Sequence, residues 1–367
     1  MRVLSLSLRD FRSYRDDQLV LGEGLTVISG ANGAGKTNLL EGLYFGCTGR
    51  SCRTANEREV VRFGAETART VVRAEGEDGL HEISVGFAPG QPKHFRIDGA
   101  SVEGLIDADD RPLVSVFLPD RLELIKGPPA LRRAHLDQFV AALWPSRVGN
   151  RRAFGQALAQ RNALIARLRS GRGSRSSLSS WDMQVARHAL ALMADRSQAV
   201  ESIAGACARI GGALGLDGEL SVSYRSRSAA TEPVAFVAEL AAKLDQDLER
   251  GFTGHGPHRD ELAMSLAGRE LRAYGSQGQQ RVALLALLLA ERETIAVHRD
   301  DPPMMLLDDV MSELDQARRD ALIEVLLGEG GQSMITTTDM EQVPGASSDG
   351  VVRVRVADGM LLEEAVA

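Results

Sequence analysis

The stretch Gly30-Ala31-Asn32-Gly33-Ala34-Gly35-Lys36-Thr37 constrains this chain more than any other. It matches G-x-x-x-x-G-K-[ST], the pattern of a glycine-rich loop that cradles phosphate. A β-prone run, Leu25 to Ser29, precedes it, and an apolar helix-like run from Thr37 to Phe45 follows. Such a loop works only between a strand and the first turn of a helix, so the chain is expected to be α/β. Glycines let the backbone close tightly with several N–H groups turned inward as an anion nest. The following helix adds its positive N-terminal end. Lys36 sets a point charge against the β- and γ-phosphates, and Thr37 can ligate Mg²⁺.

Phosphate chemistry of this kind needs an acid at the end of a buried strand. Met304-Met305-Leu306-Leu307-Asp308-Asp309 supplies one. Asp308 is the candidate Mg²⁺ group, and Asp309 the candidate that polarises an attacking water. A Ras-type guanine reader, Asn-Lys-x-Asp, is excluded. None of the four lysines (Lys36, Lys93, Lys126, Lys243) follows an asparagine.

The remaining chain sorts around these motifs. At 367 residues it has room for about two domains, and 44% hydrophobic with 25% charged residues is a globular balance. Strand-like alternation fills the first hundred residues, at Thr70–Ala74, His81–Phe87 and His94–Asp98. From Ala130 to Ile210 the sequence turns helical, with Pro145 as a break and Ser170 to Ser177 as a turn. A second long helix, about 30 residues and roughly 45 Å, starts near Ser180. Its stripe is Val185, Ala189, Leu192, Ala199, Ile203, Cys207 and Ile210. Two long helices around a short turn predict an antiparallel hairpin arm. Strands return at Glu219–Tyr224, Glu261–Leu266, Met304–Leu307, Ser333–Thr338 and Val351–Val356, with a long helix over Ser276–Val297.

Tyr274-Gly275-Ser276-Gln277-Gly278-Gln279-Gln280-Arg281 opens that helix, and Ser276 with Gln279 forms a capping-box pattern. A helix start carrying Ser and Gly is a second anion site. Together with the phosphate loop and the Asp308 strand, this resembles the ABC-type ATPase heads of the SMC class, and within them the RecF family. The resemblance runs along the whole chain: Leu8 to Tyr14, Gly33 to Glu41, Phe117-Leu118-Pro119-Asp120, Gly127-Pro128-Pro129, Arg132-Arg133, Gly256-Pro257-His258-Arg259-Asp260, the Ser276 segment, and Asp308 to Asp315.

The resemblance implies an ABC-type P-loop ATPase head interrupted by a helical arm, with bounds at 1–120 for the first part of the head, 121–249 for the arm and 250–367 for the second part. It implies ATP and Mg²⁺ as cofactors, held by Gly30, Ala31, Asn32, Gly33, Ala34, Gly35, Lys36, Thr37, Asn38 and Asp308. Lys36 and Asp309 would carry the catalysis. Ser276, with Gly278 and Gln279, would meet the γ-phosphate on a partner subunit's Lys36 in an ATP-dependent homodimer. Ser312-Glu313-Leu314-Asp315 resembles the D-loop along that interface. Thr336-Thr337-Thr338 lies where such heads place a γ-phosphate switch, usually a His. Asp309 replaces the Glu common in ABC heads and is one methylene shorter. That suggests slow turnover, with ATP as a switch. The implied setting is recombinational DNA repair and replication at gapped or junction DNA, with RecR and RecO as partners and help in loading RecA.

Net charge is −7, yet no acidic residue lies between Asp137 and Asp182. Arg147, Arg151, Arg152, Arg161, Arg167, Arg169, Arg172 and Arg175 all fall in that window. Arginine forks suit phosphate oxygens, so the arm is a candidate surface for duplex DNA. A solvated helix face or a protein-docking site stays open as the alternative. His255 and His258 are read as loop hydrogen-bonders, and Arg50 or Arg53 as either a phosphate neighbour or a surface ion pair. The longest apolar run, Val282 to Ala290, is too short to cross a bilayer. The first residues read as a strand, not a signal peptide. Cys47, Cys52 and Cys207 lack metal spacing. A cytoplasmic protein without membrane contact is expected. Two rival readings are a transporter's ATPase subunit and an SMC-like tether with incidental DNA affinity.

Overall fold

The computed structural model describes residues 1–105, 111–118, 122–328 and 330–363. Pro119 and Asp120 of the Phe117–Asp120 motif lie outside the described residues.

The chain forms two units. One takes Met1–Arg121, Ala213–Gly215 and Ile295–Ala367, and the other takes Leu122–Gly212 and Leu216–Thr294. The sequence alone ends the arm at 249 and assigns 250–294 to the head. In the structure that stretch groups with the arm.

In chain order the first unit contributes β1 (Arg2–Phe11), β2 (Tyr14–Val20), β3 (Leu25–Ser29), α1 (Lys36–Thr48), β4 (Ala68–Gly76), β5 (Gly79–Phe87), β6 (His94–Ile97), β7 (Ala100–Val102) and β8 (Val114–Phe117). The second unit follows with α2 (Glu123–Lys126), α3 (Pro129–Leu143), α4 (Val148–Arg169), α5 (Ser179–Ala213), β9 (Leu220–Arg225), α6 (Pro233–Ala242), α7 (Leu244–Arg250), β10 (Glu261–Leu266), β11 (Arg269–Glu270), α8 (Leu271–Tyr274) and α9 (Gln277–Arg299). Then come β12 (Met304–Leu307), α10 (Gln316–Gly328), β13 (Ser333–Thr337), β14 (Val352–Ala357) and β15 (Met360–Glu363).

Two six-stranded sheets make the first unit. One is antiparallel, in the order β2-β1-β4-β5-β6-β7. Its strands alternate: β4 buries Ala68, Thr70, Val72 and Ala74 and exposes Arg69 and Arg73. The other sheet runs β15-β14-β3-β13-β12-β8 and is parallel except for β15. All four residues of β12 are buried, as expected for a parallel strand covered on both faces. Helix α1 packs against strands of both sheets. That explains why apolar residues are buried around most of its circumference, from Leu39 and Leu40 to Phe45 and Cys47. One core unites Leu8, Phe11, Leu40, Val72, Leu306 and Met334.

In the second unit α4 and α5 form the expected antiparallel pair. Arg147 and Asn150, early in α4's course, both reach Asp195, whereas Arg161 reaches back to Asp182. Every member of the α5 stripe is buried. At 35 residues, α5 is longer than expected, roughly 52 Å. Pro145 opens a short turn between α3 and α4.

One assignment from sequence is corrected here. Arg161 does not face solvent and cannot meet DNA. It is wholly buried. Its guanidinium donates to Asp182 at 2.7 Å, Asp247 at 2.8 Å and the Thr253 hydroxyl at 2.6 Å. A charge can be buried there only because two carboxylates and a hydroxyl replace its water. Replacing Arg161 with Ala leaves Asp247, 1% exposed, without its cation. The expected loss is about 3–5 kcal/mol, read by urea unfolding. A loss below about 1 kcal/mol would mean the network is not holding the arm.

Candidate nucleotide-binding site

The phosphate loop leaves β3, the middle of the parallel sheet, and is clamped from two sides. A Cβ on Gly30 would sit 2.3 Å from the Val356 carbonyl oxygen of β14, so no other residue fits. Gly35 caps α1 at φ +117, and a Cβ there would lie 2.9 Å from the Ser13 hydroxyl. The Tyr14 hydroxyl donates to the Gly35 carbonyl at 3.0 Å, and the Gly359 N–H donates to the Ala34 carbonyl at 2.9 Å. Lys36 folds over the loop and donates to the carbonyls of Gly30 at 2.7 Å and Ala31 at 3.0 Å. Burial lowers the Lys36 pKa, against the pull of Asp309 and Asp308.

The two acids lie at the end of β12. The Thr37 hydroxyl, in the first turn of α1, is 3.0 Å from both Asp308 carboxylate oxygens. From β13, the strand between β3 and β12, the Thr336 hydroxyl donates to Asp308 Oδ1 at 2.6 Å and accepts the Asp309 N–H at 3.0 Å. Burial raises the Asp308 pKa, and the hydrogen bonds from Thr336 and Thr37 work against it. Asp309 adopts a left-handed φ of 44°, uncommon for a residue with a Cβ. The Ser312 hydroxyl lies 2.9 Å from Asp309 Oδ2 and 2.8 Å from its carbonyl. Asp309 Oδ1 is buried without a partner.

Thr336, in the expected switch segment, therefore holds both acids. Thr337 is buried and donates to the Asp339 carbonyl instead.

A second network lies along α1. Glu41, fully buried, takes both prongs of Arg12 at 2.8 Å and Arg53 at 3.4 Å. Arg53 also donates to Asn38 Oδ1 at 2.8 Å, and Asn38 donates to Ser13 at 3.0 Å. Arg53's charge lowers the Asp308 pKa, though less than the two threonines do. Arg50 and Arg53 are both exposed, but only Arg53 is tied into this network, through Asn38 and Glu41. Arg12, Ser13 and Glu41 were visible in sequence only as motif members without a role, because an ion pair across 29 residues leaves no local pattern.

The capping box at the start of α9 is present. Gln279 N–H donates to the Ser276 hydroxyl at 3.2 Å, and Ser276 N–H donates to Gln279 Oε1 at 2.9 Å. Ser276 and Gly278 are exposed. They belong to the second unit, whereas the phosphate loop and both acids belong to the first.

The arm arginines separate into two groups. Arg147 pairs with Asp195 at 3.2 Å and lies over the Trp144 ring, Arg151 pairs with Asp137 at 3.2 Å, and Arg175 pairs with Asp245 at 2.9 Å. Their acids lie outside the acid-free window or at its edge, so the charge is less unbalanced than the linear sequence suggests. Arg152 is exposed. Arg167, Arg169 and Arg172, near the turn, are exposed and carry no ion pair among the described residues. His255 bonds Glu239 at 2.6 Å, and His258 donates to the Thr253 carbonyl at 2.9 Å. Both are loop hydrogen-bonders, and no cluster with metal-ligand geometry occurs among the described residues.

The donor set fits a nucleotide with a hard cation. A hydroxyl and a carboxylate converge beside a phosphate loop, with a buried, unpartnered carboxylate oxygen next to them. Fold and site define an ABC-type P-loop ATPase head of the kind found in SMC proteins. A "DNA replication and repair protein RecF" from Anaeromyxobacter sp. (strain Fw109-5) is 37% identical over 372 residues, covering 98% of this chain and 99% of that protein. The chain belongs to the RecF family.

A RecF from Myxococcus xanthus (strain DK1622) is 35% identical over 378 residues, covering 100% of this chain and 98% of its own length. A family model described as an AAA domain matches residues 5–96. Among solved structures, "the recombination mediator protein RecF-ATP in RecFOR pathway" superposes with a TM-score of 0.86 at 26% identity, over 99% of this chain and 98% of that one. An SMC head bound to the C-winged helix domain of ScpA gives 0.61 at 16% identity, over 100% and 98%, and shows the shared fold.

Thr336→Val removes one hydrogen bond to a buried carboxylate, worth about 1.5–3 kcal/mol. Mg²⁺-dependent nucleotide affinity is expected to fall roughly 10- to 100-fold. Titration with and without Mg²⁺ measures it, and unchanged affinity would show that Thr336 does not support Asp308.

Proposed function

We propose that this chain is an ATP-binding protein of DNA replication and recombinational repair. It binds duplex, gapped or junction DNA and dimerises on ATP. The carrying observation is the convergence of Thr37, Thr336, Asp308 and Asp309 beside Lys36. Relatives described as DNA replication and repair proteins, one of them solved as RecF-ATP, support the ATP and repair parts. In this reading Gly30 to Lys36 hold the phosphates, and Thr37 with Asp308 hold Mg²⁺, which would neutralise phosphate charge. Asp309 is anchored through one oxygen by Ser312. Its other oxygen is available to orient a water and take its proton. Hydrolysis is slow and resets a switch.

The exposed, capped start of α9 supports the second half of the reading. Ser276, Gly278 and Gln279 meet the nucleotide of a partner copy, and ATP is the glue of a homodimer. RecR and RecO are the proposed protein partners, in line with the RecFOR context of the solved relatives. RecA loading is the proposed outcome. Family membership sets aside the transporter reading. Among the described residues no helix is long and apolar enough to cross a membrane.

Two substitutions separate the roles. Asp309→Asn is expected to keep ATP bound, block hydrolysis and trap the dimer. Normal hydrolysis in that variant would assign the water to another group. Ser276→Arg puts a bulky cation at the proposed interface, where steric overlap outweighs charge attraction. The single subunit should bind ATP nearly as before, with no ATP-driven dimer by light scattering. Full dimerisation would refute the in-trans role, and loss of monomer ATP binding would place Ser276 in its own subunit's site.

A further inference from the structure

The second unit holds positive charge that the arm does not account for. It gathers around Arg133 on α3 and the Gly256–Asp260 segment. The nearby carboxylates are already committed. Asp137 takes both prongs of Arg196, at 2.8 and 3.1 Å, and also Arg151 at 3.2 Å. Glu261 takes both prongs of Arg132, at 2.5 and 3.0 Å. Asp260, fully buried, accepts the Tyr224 hydroxyl and the Arg227 N–H.

Among the described residues Arg133 and Arg259 are left over, and so is Arg227, whose Nε donates to the Arg259 carbonyl at 3.4 Å. Arg133 is half-buried, and among the described residues its side chain makes one hydrogen bond, Nη1 donating to the Asp260 carbonyl at 2.9 Å. Arg259 is exposed and lies over the Phe252 ring, 5.4 Å from its centroid. Neither Arg133 nor Arg259 has an ion pair among the described residues. A guanidinium half withdrawn from water without a counter-ion is costly, so its persistence here is informative.

Burial lowers the Arg133 pKa most, the charges of Arg196 and Arg259 add to that, and those of Glu261 and Asp260 oppose it. His258, between the same groups, is held down to about 4, first by burial and then by Arg259 and Arg133. Its imidazole stays neutral, so it adds no charge of its own.

We propose that Arg133 and Arg259, with the Phe252 ring beneath Arg259, form a contact site for the phosphodiester backbone of nucleic acid on the second unit, in addition to the arm-tip arginines. The assignment rests on the DNA-binding reading above. An arginine fork with most of its N–H groups unengaged matches two oxygens of one phosphate. Stacking on an aromatic face presets the second fork without an acid. Two separate forks, one of them on the exposed Arg259, suit a run of phosphates along a backbone better than one small anion.

The test uses the full chain with a fluorescent 30-base-pair duplex, titrated at several salt concentrations. Arg259→Gln changes an exposed residue and does not threaten the fold. Arg133→Gln and Arg133→Lys accompany it, with melting as the control for folding. Each Gln variant is expected to weaken binding and to lower the log–log salt slope by about 0.9, and the double variant by about 1.8. Arg133→Lys should retain the slope but bind less tightly, because it keeps charge and loses the fork. The comparison is Arg167, Arg169 and Arg172 changed together to Ala. If that triple variant loses affinity while the double Gln variant matches wild type in affinity and slope, the site is overturned and the DNA reading stands. If wild type binds no duplex, the DNA reading fails and takes this site with it. Two results would assign the arginines to other occupants. One is poly-glutamate competing as well as DNA with the same dependence on Arg133 and Arg259. The other is inorganic phosphate saturating these arginines without displacing DNA.

Discussion

The Asp308 carboxylate is the point on which the first unit's chemistry depends. It is buried, and burial favours its neutral form. Two hydroxyls oppose that, one from the first turn of α1 and one from β13. Each comes from an element set by a different constraint. Thr37 is placed by the loop, whose tightness comes from Gly30 against Val356 and Gly35 against Ser13. Thr336 is placed by parallel pairing of β13 with both β3 and β12. A shift in either the loop or the sheet register would leave a buried carboxylate oxygen short of a donor, a cost of about 1–3 kcal/mol or more. Sheet order is therefore part of the site. The strand between the loop strand and the acid strand carries the residue that holds both acids.

Sequence legibility followed the range of the interactions. The phosphate loop, the capping box and the acid pair are local patterns, and each lies on the strand or helix end where it was expected. The α5 stripe was also legible, because a helix buries a face whose spacing is written in consecutive turns. What could not be read were pairings between distant segments. Arg12 with Glu41, Thr336 with Asp308, and Arg161 with Asp247 each join positions 28 to 86 residues apart. The division between units was shifted for the same reason. The antiparallel ladder between β9 and β10 spans some forty residues, and it draws the chain after 250 into the second unit.

The arginines show how a one-dimensional charge count misleads. An acid-free window of 44 positions looks unbalanced, yet Asp182, Asp195, Asp245 and Asp247 fold back onto it from other segments. The converse holds at Arg133 and Arg259. Acids lie close in sequence there, so a linear count sees balance. In three dimensions those acids are already engaged by Arg132, Arg196, Tyr224 and a backbone N–H. Which arginine is available for phosphate depends on the competition for carboxylates, and only the fold decides it.

The same reasoning separates the two adjacent acids. Asp308 has hydroxyl partners on both oxygens and an ordinary backbone, so it is suited to a fixed, passive role. Asp309 departs from local preference in three ways. Its backbone is left-handed although it is not glycine, it neighbours a second carboxylate, and one of its oxygens is buried without a partner. None of these helps the chain fold, and the strained backbone and the unpartnered buried oxygen each cost of order 1–3 kcal/mol. Its N–H to Thr336 and its carboxylate contact with Ser312 hold the strained conformation in place. A residue held against its own preferences, with one oxygen anchored and the other unengaged, is arranged to act on something the fold does not itself supply. That asymmetry, more than the order of the two acids in the sequence, supports the proposed division of roles, with the water at Asp309 and the cation at Asp308.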